Sequence, residues 1–331
     1  MKFRRRKHQH IAEAMIALAL IGFLLAVSVL RVARRESSVA VFGVTFSSSY
    51  AQELGLDWRR VYSAVLDDLG VQRLRLPVYW DDIEYAPNAY NWSDLDWMID
   101  EAEESGVEVT LAIGRKVPRW PECYAPTFVK ELDKEAQADE LLAYLSELVL
   151  RYEPSSTIVR WQVENEAMFP FGECPLPDPA LLDAELALVR ELSDKPIMLT
   201  VSGENDLWID SAVPADALGV SLYRTTWNNL TGYFIYPIGP EFYRIKLVMV
   251  RPLVDTVILS ELQAEPWFKT SQTETSLDEQ AKMFTVEQLW QQVELAEAVG
   301  FDEIYLWGVE WWYWMKVQGE DAMWNATYEL F

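Results

Sequence analysis

Residues 157–166 read Thr-Ile-Val-Arg-Trp-Gln-Val-Glu-Asn-Glu, an apolar, β-rich run that ends on an amide between two carboxylates. Burying an unpaired carboxylate costs several kcal/mol. A buried strand with this ending either leaves the core at Glu164 or delivers its acids to a pocket. Seven similar runs occupy residues 39–46, 71–78, 107–114, 196–203, 217–223, 255–261 and 303–309. Between most of them lie amphipathic helix patterns such as "DWRRVYSAVLDDLG" and "KEAQADELLAYLSELVLRY". Ser93 and Ser276 stand as N-caps, the latter forming a capping box with Glu279 at the head of one long helix pattern that runs to Gly300. Gly70, Gly106 and Gly300 close helices just ahead of strands.

Eight strands alternating with helices, without sustained hydrophobic alternation, predict a (β/α)8 TIM barrel over residues 39–331. A doubly wound open sheet would carry a Gly-rich phosphate loop after its first strand. Residues 43–55, "GVTFSSSYAQELG", hold none. The aromatic stretch after the sixth strand blurs the helix expected there.

Ahead of the barrel, residues 1–10 form a basic tail and residues 11–30 an apolar run long enough to span a bilayer as a signal-anchor, with 31–38 as a short linker. Five Lys/Arg precede the run and three follow it, which predicts a cytoplasmic N-terminus and an extracytoplasmic barrel at the cell membrane. Secretion after signal cleavage is the alternative.

Of the chain's 28 basic and 52 acidic side chains, eight and two lie in residues 1–36, leaving 20 and 50 for the remainder. So acidic a surface repels nucleic acid. The only histidines, His8 and His10, lie in the tail, which removes imidazole-based triads and metal sites from the barrel. No metal or organic cofactor is expected. Cys123 and Cys174 could pair between two loops in an oxidising compartment. The chemistry is therefore left to carboxylates, amides, Tyr, Arg and an abundance of Trp, 15 in all.

Active sites of such barrels gather at the C-terminal strand ends. Those ends carry Arg75 (second strand), Asn165 and Glu166 (fourth), Tyr223 (sixth), Glu261 (seventh), and Trp307 and Glu310 (eighth). The fourth and seventh strands lie nearly opposite, so Glu166 and Glu261 should face each other across the mouth, as two carboxyls must for glycoside hydrolysis. Arg75 and Tyr223 could hold Glu261 ionised as nucleophile, and Glu166 would then be pushed toward its acid form. Asn165 could bind a sugar 2-hydroxyl and Trp307 the apolar ring face. Trp80, Trp120 and Trp267 stand near rim loops as further sugar platforms and Glu310 as a further substrate contact, with Trp311 and Trp312 close by. Glu265 is a rival to Glu261 as the rim acid. Glu164 reads as the structural partner of Arg73 or Arg75.

This ordered set resembles the retaining glycoside hydrolases of clan A, and most nearly the cellulase-like family 5. The resemblance implies Glu166 as acid/base, Glu261 as nucleophile, and Asn165, Arg75, Tyr223 and Trp307 as the supporting residues. It runs from about residue 40 to the C-terminus. The chain departs from family 5 in lacking histidines near strands three and six; Arg115 or Lys116 stands at the third strand end. The expected activity is retaining cleavage of a β-linked oligo- or polysaccharide. The other readings are a transglycosylase, a non-catalytic glycan-binding barrel, and a lyase or isomerase for which Lys116 is the only nearby lysine.

Overall fold

The computed structural model describes residues 40–331 except 229, 270 and 271, together with residues 15, 16 and 22. Eight parallel strands close on themselves: β1 (Val41–Thr45), β2 (Arg73–Pro77), β3 (Glu108–Ile113), β4 (Ile158–Val163), β5 (Ile197–Ser202), β6 (Ala217–Leu222), β7 (Thr256–Gln263) and β8 (Glu303–Trp307). Each pairs with the next, and β8 returns to β1 in a register from Val41↔Glu303 to Thr45↔Trp307. All eight lie within two residues of the runs read from sequence. Parallel strands are buried on both faces and so read as continuous apolar runs.

The principal outer helices are α1 (Trp58–Asp67), α2 (Ser93–Glu104), α3 (Lys134–Tyr152), α4 (Pro179–Leu192), α5 (Pro240–Val250), α6 (Val286–Val299) and α7 (Val309–Val317). Helix α1 shows why they form. Asp57 caps it by accepting from the Arg59 and Arg60 amides, and Trp58, Val61, Tyr62, Val65 and Leu66 make one buried stripe. Each large side chain so buried stabilises the fold by about 1.5–3 kcal/mol before entropy is counted.

Three helix expectations need correction. Trp92, not Ser93, occupies the N-cap of α2, and the Asn91 side chain accepts from the Ser93 amide. Ser276 does precede a helix, Leu277–Met283, but makes no capping hydrogen bond, and the long pattern breaks at Phe284 and Thr285. The break has a local cause. The buried Gln280 amide binds the carbonyls of Gln272 and Thr275 and accepts from the Trp311 indole, while Thr285 starts α6 with its own capping box to Gln288. In the aromatic stretch after β6, an antiparallel hairpin, Thr225–Asn228 with Gly232–Ile235, precedes α5.

No helix among the described residues is long and apolar enough to cross a membrane. The tail, linker and nearly all of the expected span at 11–30 lie outside the described residues.

Candidate active site

Strand β4 answers the question its sequence raises by turning sharply at its end. Glu164 and Glu166 both take left-handed backbone conformations, φ 57° and 45°, which non-glycine residues adopt only when their surroundings hold them there. The Glu164 carboxyl accepts from the amides of Arg115 and Lys116, both at 2.7 Å, so it is a backbone anchor rather than the ion-pair partner of Arg73 or Arg75. The Glu166 amide donates to Thr200 Oγ1 at 2.8 Å, which turns its carboxyl to the barrel mouth. One acid ties down the loop; the other is presented.

Glu261 is aimed by a different device. The register of β7 against β6 shifts between Leu259 and Glu261, a bulge that re-directs the side chain. Arg75, fully buried in the barrel, takes up the Ser260 carbonyl at 3.3 Å and Glu261 Oε1 at 2.9 Å through the same nitrogen. Its remaining nitrogens donate to Gln162 and Asn165 at 2.7 and 2.9 Å. Tyr223 OH donates to Glu261 Oε2 at 2.8 Å, so both oxygens accept from donors, one of them cationic. The seventh-strand reading thus favours Glu261 over Glu265, which is paired elsewhere.

Glu166 has a contrasting environment. Ser221 donates to its Oε1 at 2.7 Å, and no cation pairs with it among the described residues. Burial first, and then the charge of Glu261, push its pKa up to about 7, against the smaller opposing pull of Ser221 and Lys116. The two carboxyls thus share one cleft with unlike partners, a cation and a phenol for Glu261 and a hydroxyl for Glu166.

Glu122 is a third carboxyl that sequence reasoning missed. It is buried beside Asn165, whose Nδ2 donates to its Oε2 at 3.1 Å. Burial and then Glu261 raise its pKa to about 8, partly offset by Lys116 and Asn165. A signal for it existed: its neighbour Cys123 is joined to Cys174, which follows Glu166 in sequence by eight residues. That disulfide brings the loop after β3 against the loop after β4.

These groups line one cleft of about 940 Å³ with Tyr223, Trp120, Trp267 and Trp307. Trp120 is 60% exposed at its edge, and Trp267 stands edge-on to Tyr223 with centroids 5.6 Å apart. Trp307 forms part of the floor. Arg119, also missed, is sandwiched between the rings of Trp307 and Tyr50 at 4.1 and 3.9 Å and ion-pairs with Glu265 and Glu310.

Two expected substrate contacts are corrected. Trp80 is completely buried away from the cleft, stacked on Tyr144 at 5.1 Å with its indole donating to Glu84. Glu310 is also fully buried, spent on Arg119 and on the Ser47 amide beneath the cleft floor. Trp311 and Trp312 are core residues. Lys116 donates to the carbonyls of Glu166 and Phe169, which makes it a loop tie and removes the lysine candidate for lyase or isomerase chemistry. Among the described residues no group of three or more His, Cys, Asp or Glu is arranged to hold a metal ion.

No protein-family model matches the chain, and no curated protein matches its sequence. Solved structures do share its fold. GH5_18 from Bifidobacterium longum subsp. longum superposes with a TM-score of 0.57 at 15% identity, covering 82% of this chain and 70% of that one. An exo-β-1,4-mannosidase from Opitutaceae bacterium strain TAV5 gives 0.55 at 16% identity, over 81% and 51%. Xylanase 10B from Thermotoga petrophila RKU-1 gives 0.51 at 15%, over 83% and 86%. The chain has the (β/α)8 fold of these glycoside hydrolases. At such identities the likeness concerns the fold alone, and the chemistry has to be argued from the cleft.

Proposed function

We propose that the protein is a retaining glycoside hydrolase acting on a β-linked glycan. The carrying observation is the asymmetry of the two carboxyls that line the cleft: Glu261 is held by Arg75 and Tyr223, while Glu166 accepts from Ser221 alone among the described residues and has a pKa raised to about 7. In this reading Glu261 attacks the anomeric carbon as Glu166 protonates the leaving oxygen, giving a covalent glycosyl ester. Glu166, now a carboxylate, takes a proton from water, whose oxygen displaces Glu261 from the sugar. A sugar hydroxyl in place of water would make the same enzyme a transglycosylase. Asn165 faces carbon 2 of the bound sugar, and Trp307, Trp120 and Trp267 supply apolar ring contacts.

We also infer that residues 11–30 anchor the barrel outside the cytoplasm. The apolar length, the flanking charges and the Cys123–Cys174 disulfide support that reading.

The test is incubation of residues 37–331 with a panel of aryl β-glycosides, beside the Glu261→Gln variant. Aryl alcohol released by the wild type and abolished in the variant is the expected result, with retained anomeric configuration by NMR. Oligosaccharide binding without turnover of any glycoside would replace the enzyme with a binding barrel.

A further inference from the structure

We propose that Glu122 reads the substituent on carbon 2 of the bound sugar, and that the substrate carries a free amine there, as a 2-amino-2-deoxy sugar. The inference rests on the glycosidase reading above and names its substrate class.

Position comes first. Glu122 is more than nine-tenths buried, yet it lines the same cleft as Glu166 and Glu261. Its Oε2 is occupied by Asn165 Nδ2, the group assigned to carbon 2. Its Oε1 accepts no hydrogen bond from the described residues and is not sealed in the interior, so it is available to a ligand. A substituent that meets the Asn165 amide therefore meets the Glu122 carboxyl as well.

Charge comes second. Glycoside hydrolysis needs two carboxyls, and a third one in the same field is disfavoured by burial and by Glu261. Of the cations at the cleft, Arg119 is consumed by Glu265 and Glu310, Arg75 beneath the floor by Glu261, Lys116 is tied to the Glu166 and Phe169 carbonyls and only partly offsets the charge on Glu122, and Lys269 lies against Trp227. Glu122, Glu166 and Glu204 all line the cleft without an ion-pair partner among the described residues. A ligand ammonium at carbon 2 brings a cation into contact with Glu122, which favours its ionised form, together with three donors. A neutral hydroxyl brings one donor and no charge, and a uronate or sulfate would be repelled.

The placement is also built in. Glu122 sits at φ 76°, with its amide donating to the Arg119 carbonyl at 2.7 Å and its carbonyl accepting from Val117 at 2.9 Å. The adjoining Cys123 is covalently tied to Cys174. Gly172 leaves the room required, since a Cβ there would lie 2.6 Å from the Glu122 Cβ. A strained backbone so over-determined marks a position held for use.

The experiment compares paired aryl β-glycosides, 2-amino against 2-hydroxy in gluco and galacto configuration, on the full-length chain. The expected kcat/KM preference for the better amine is at least about tenfold, the scale of one charged hydrogen bond. Glu122→Gln should collapse that amine-over-hydroxyl ratio toward one, and Glu122→Asp should restore part of it. No preference in the wild type, or a ratio untouched by Glu122→Gln, overturns the inference. If no glycoside is turned over, the hydrolase reading has failed, and calorimetric titration decides separately. Glucosamine or galactosamine binding that exceeds the neutral sugar and is lost in Glu122→Gln keeps the inference; equal or absent binding ends it.

Discussion

Near the N-terminal ends of the strands, Arg160 holds Glu303 through both terminal nitrogens at 3.2 Å, with Thr110 and Tyr305 completing the set. Near the C-terminal ends, Arg75 holds Glu261, Asn165 and Gln162. Both clusters put one guanidinium inside the barrel against one carboxylate. The lower one is balanced, and both Glu303 oxygens are spoken for. The upper one is not, because Glu166 and Glu122 add acid without a direct ion-pair partner among the described residues, and Lys116 offsets them only in part. Balance makes the floor a brace, and the surplus at the mouth makes it a place where a proton and a ligand have work to do.

The sharpest way to break this contrast is to disable each cluster and ask what is lost. Glu261→Gln should lower kcat on an aryl β-glycoside by at least about 1,000-fold while the protein still folds by circular dichroism. Residual turnover of a few per cent would remove Glu261 from the chemistry. Glu166→Gln should cost about 100- to 10,000-fold with a poor leaving group, and far less with dinitrophenolate, which departs without a proton. Equal losses on both leaving groups would contradict its role as acid.

At the floor the effect should change in kind. Arg160→Met leaves Glu303 half-satisfied and should lower unfolding stability by about 3 kcal/mol in urea titration. Its kcat/KM should stay within about twofold of wild type, and a larger fall would join the two clusters functionally. The smallest effect is on pH. Glu166 and Glu122 rise from an ordinary 4.5 to about 7 and about 8, because burial and Glu261 disfavour their charged forms. Their folded-state pKa values are raised, so the stability they contribute is complete below about 4.5 and is lost as pH climbs through 7 and 8. The melting temperature should be higher at pH 5.5 than at 8.5, and Glu122→Gln should shrink the difference. Turnover should decline above about pH 7 as Glu166 loses its proton.

The barrel was legible because most strands are short, largely apolar β-rich runs set between helix patterns, and each strand's end then names the rim residue by position alone. Arg75, Asn165, Glu166, Tyr223 and Glu261 all meet in the structure on that logic. The failures occurred where a residue could turn either way. Trp80 follows β2 closely enough to line the mouth, but a single helical turn from Trp80 to Ile83 carries it into the core beside Tyr144. Glu310 starts α7, and the buried Arg119 draws it beneath the cleft. Arg119 and Glu122 lie in a loop without periodicity, where no pattern of apolar residues fixes which way a side chain points. The split before Thr285 was hidden because amphipathic spacing continues across a break that one buried glutamine makes.

The contact between Arg75 and Glu261 joins residues 186 positions apart, on β2 and β7, which the closed ring sets across its interior with β1 and β8 between them. Neither a nascent chain nor a partly folded sheet can assemble it. Recovered turnover during refolding would therefore serve as a clock for ring closure, lagging behind any optical signal from the helices, whose contacts are local and form first.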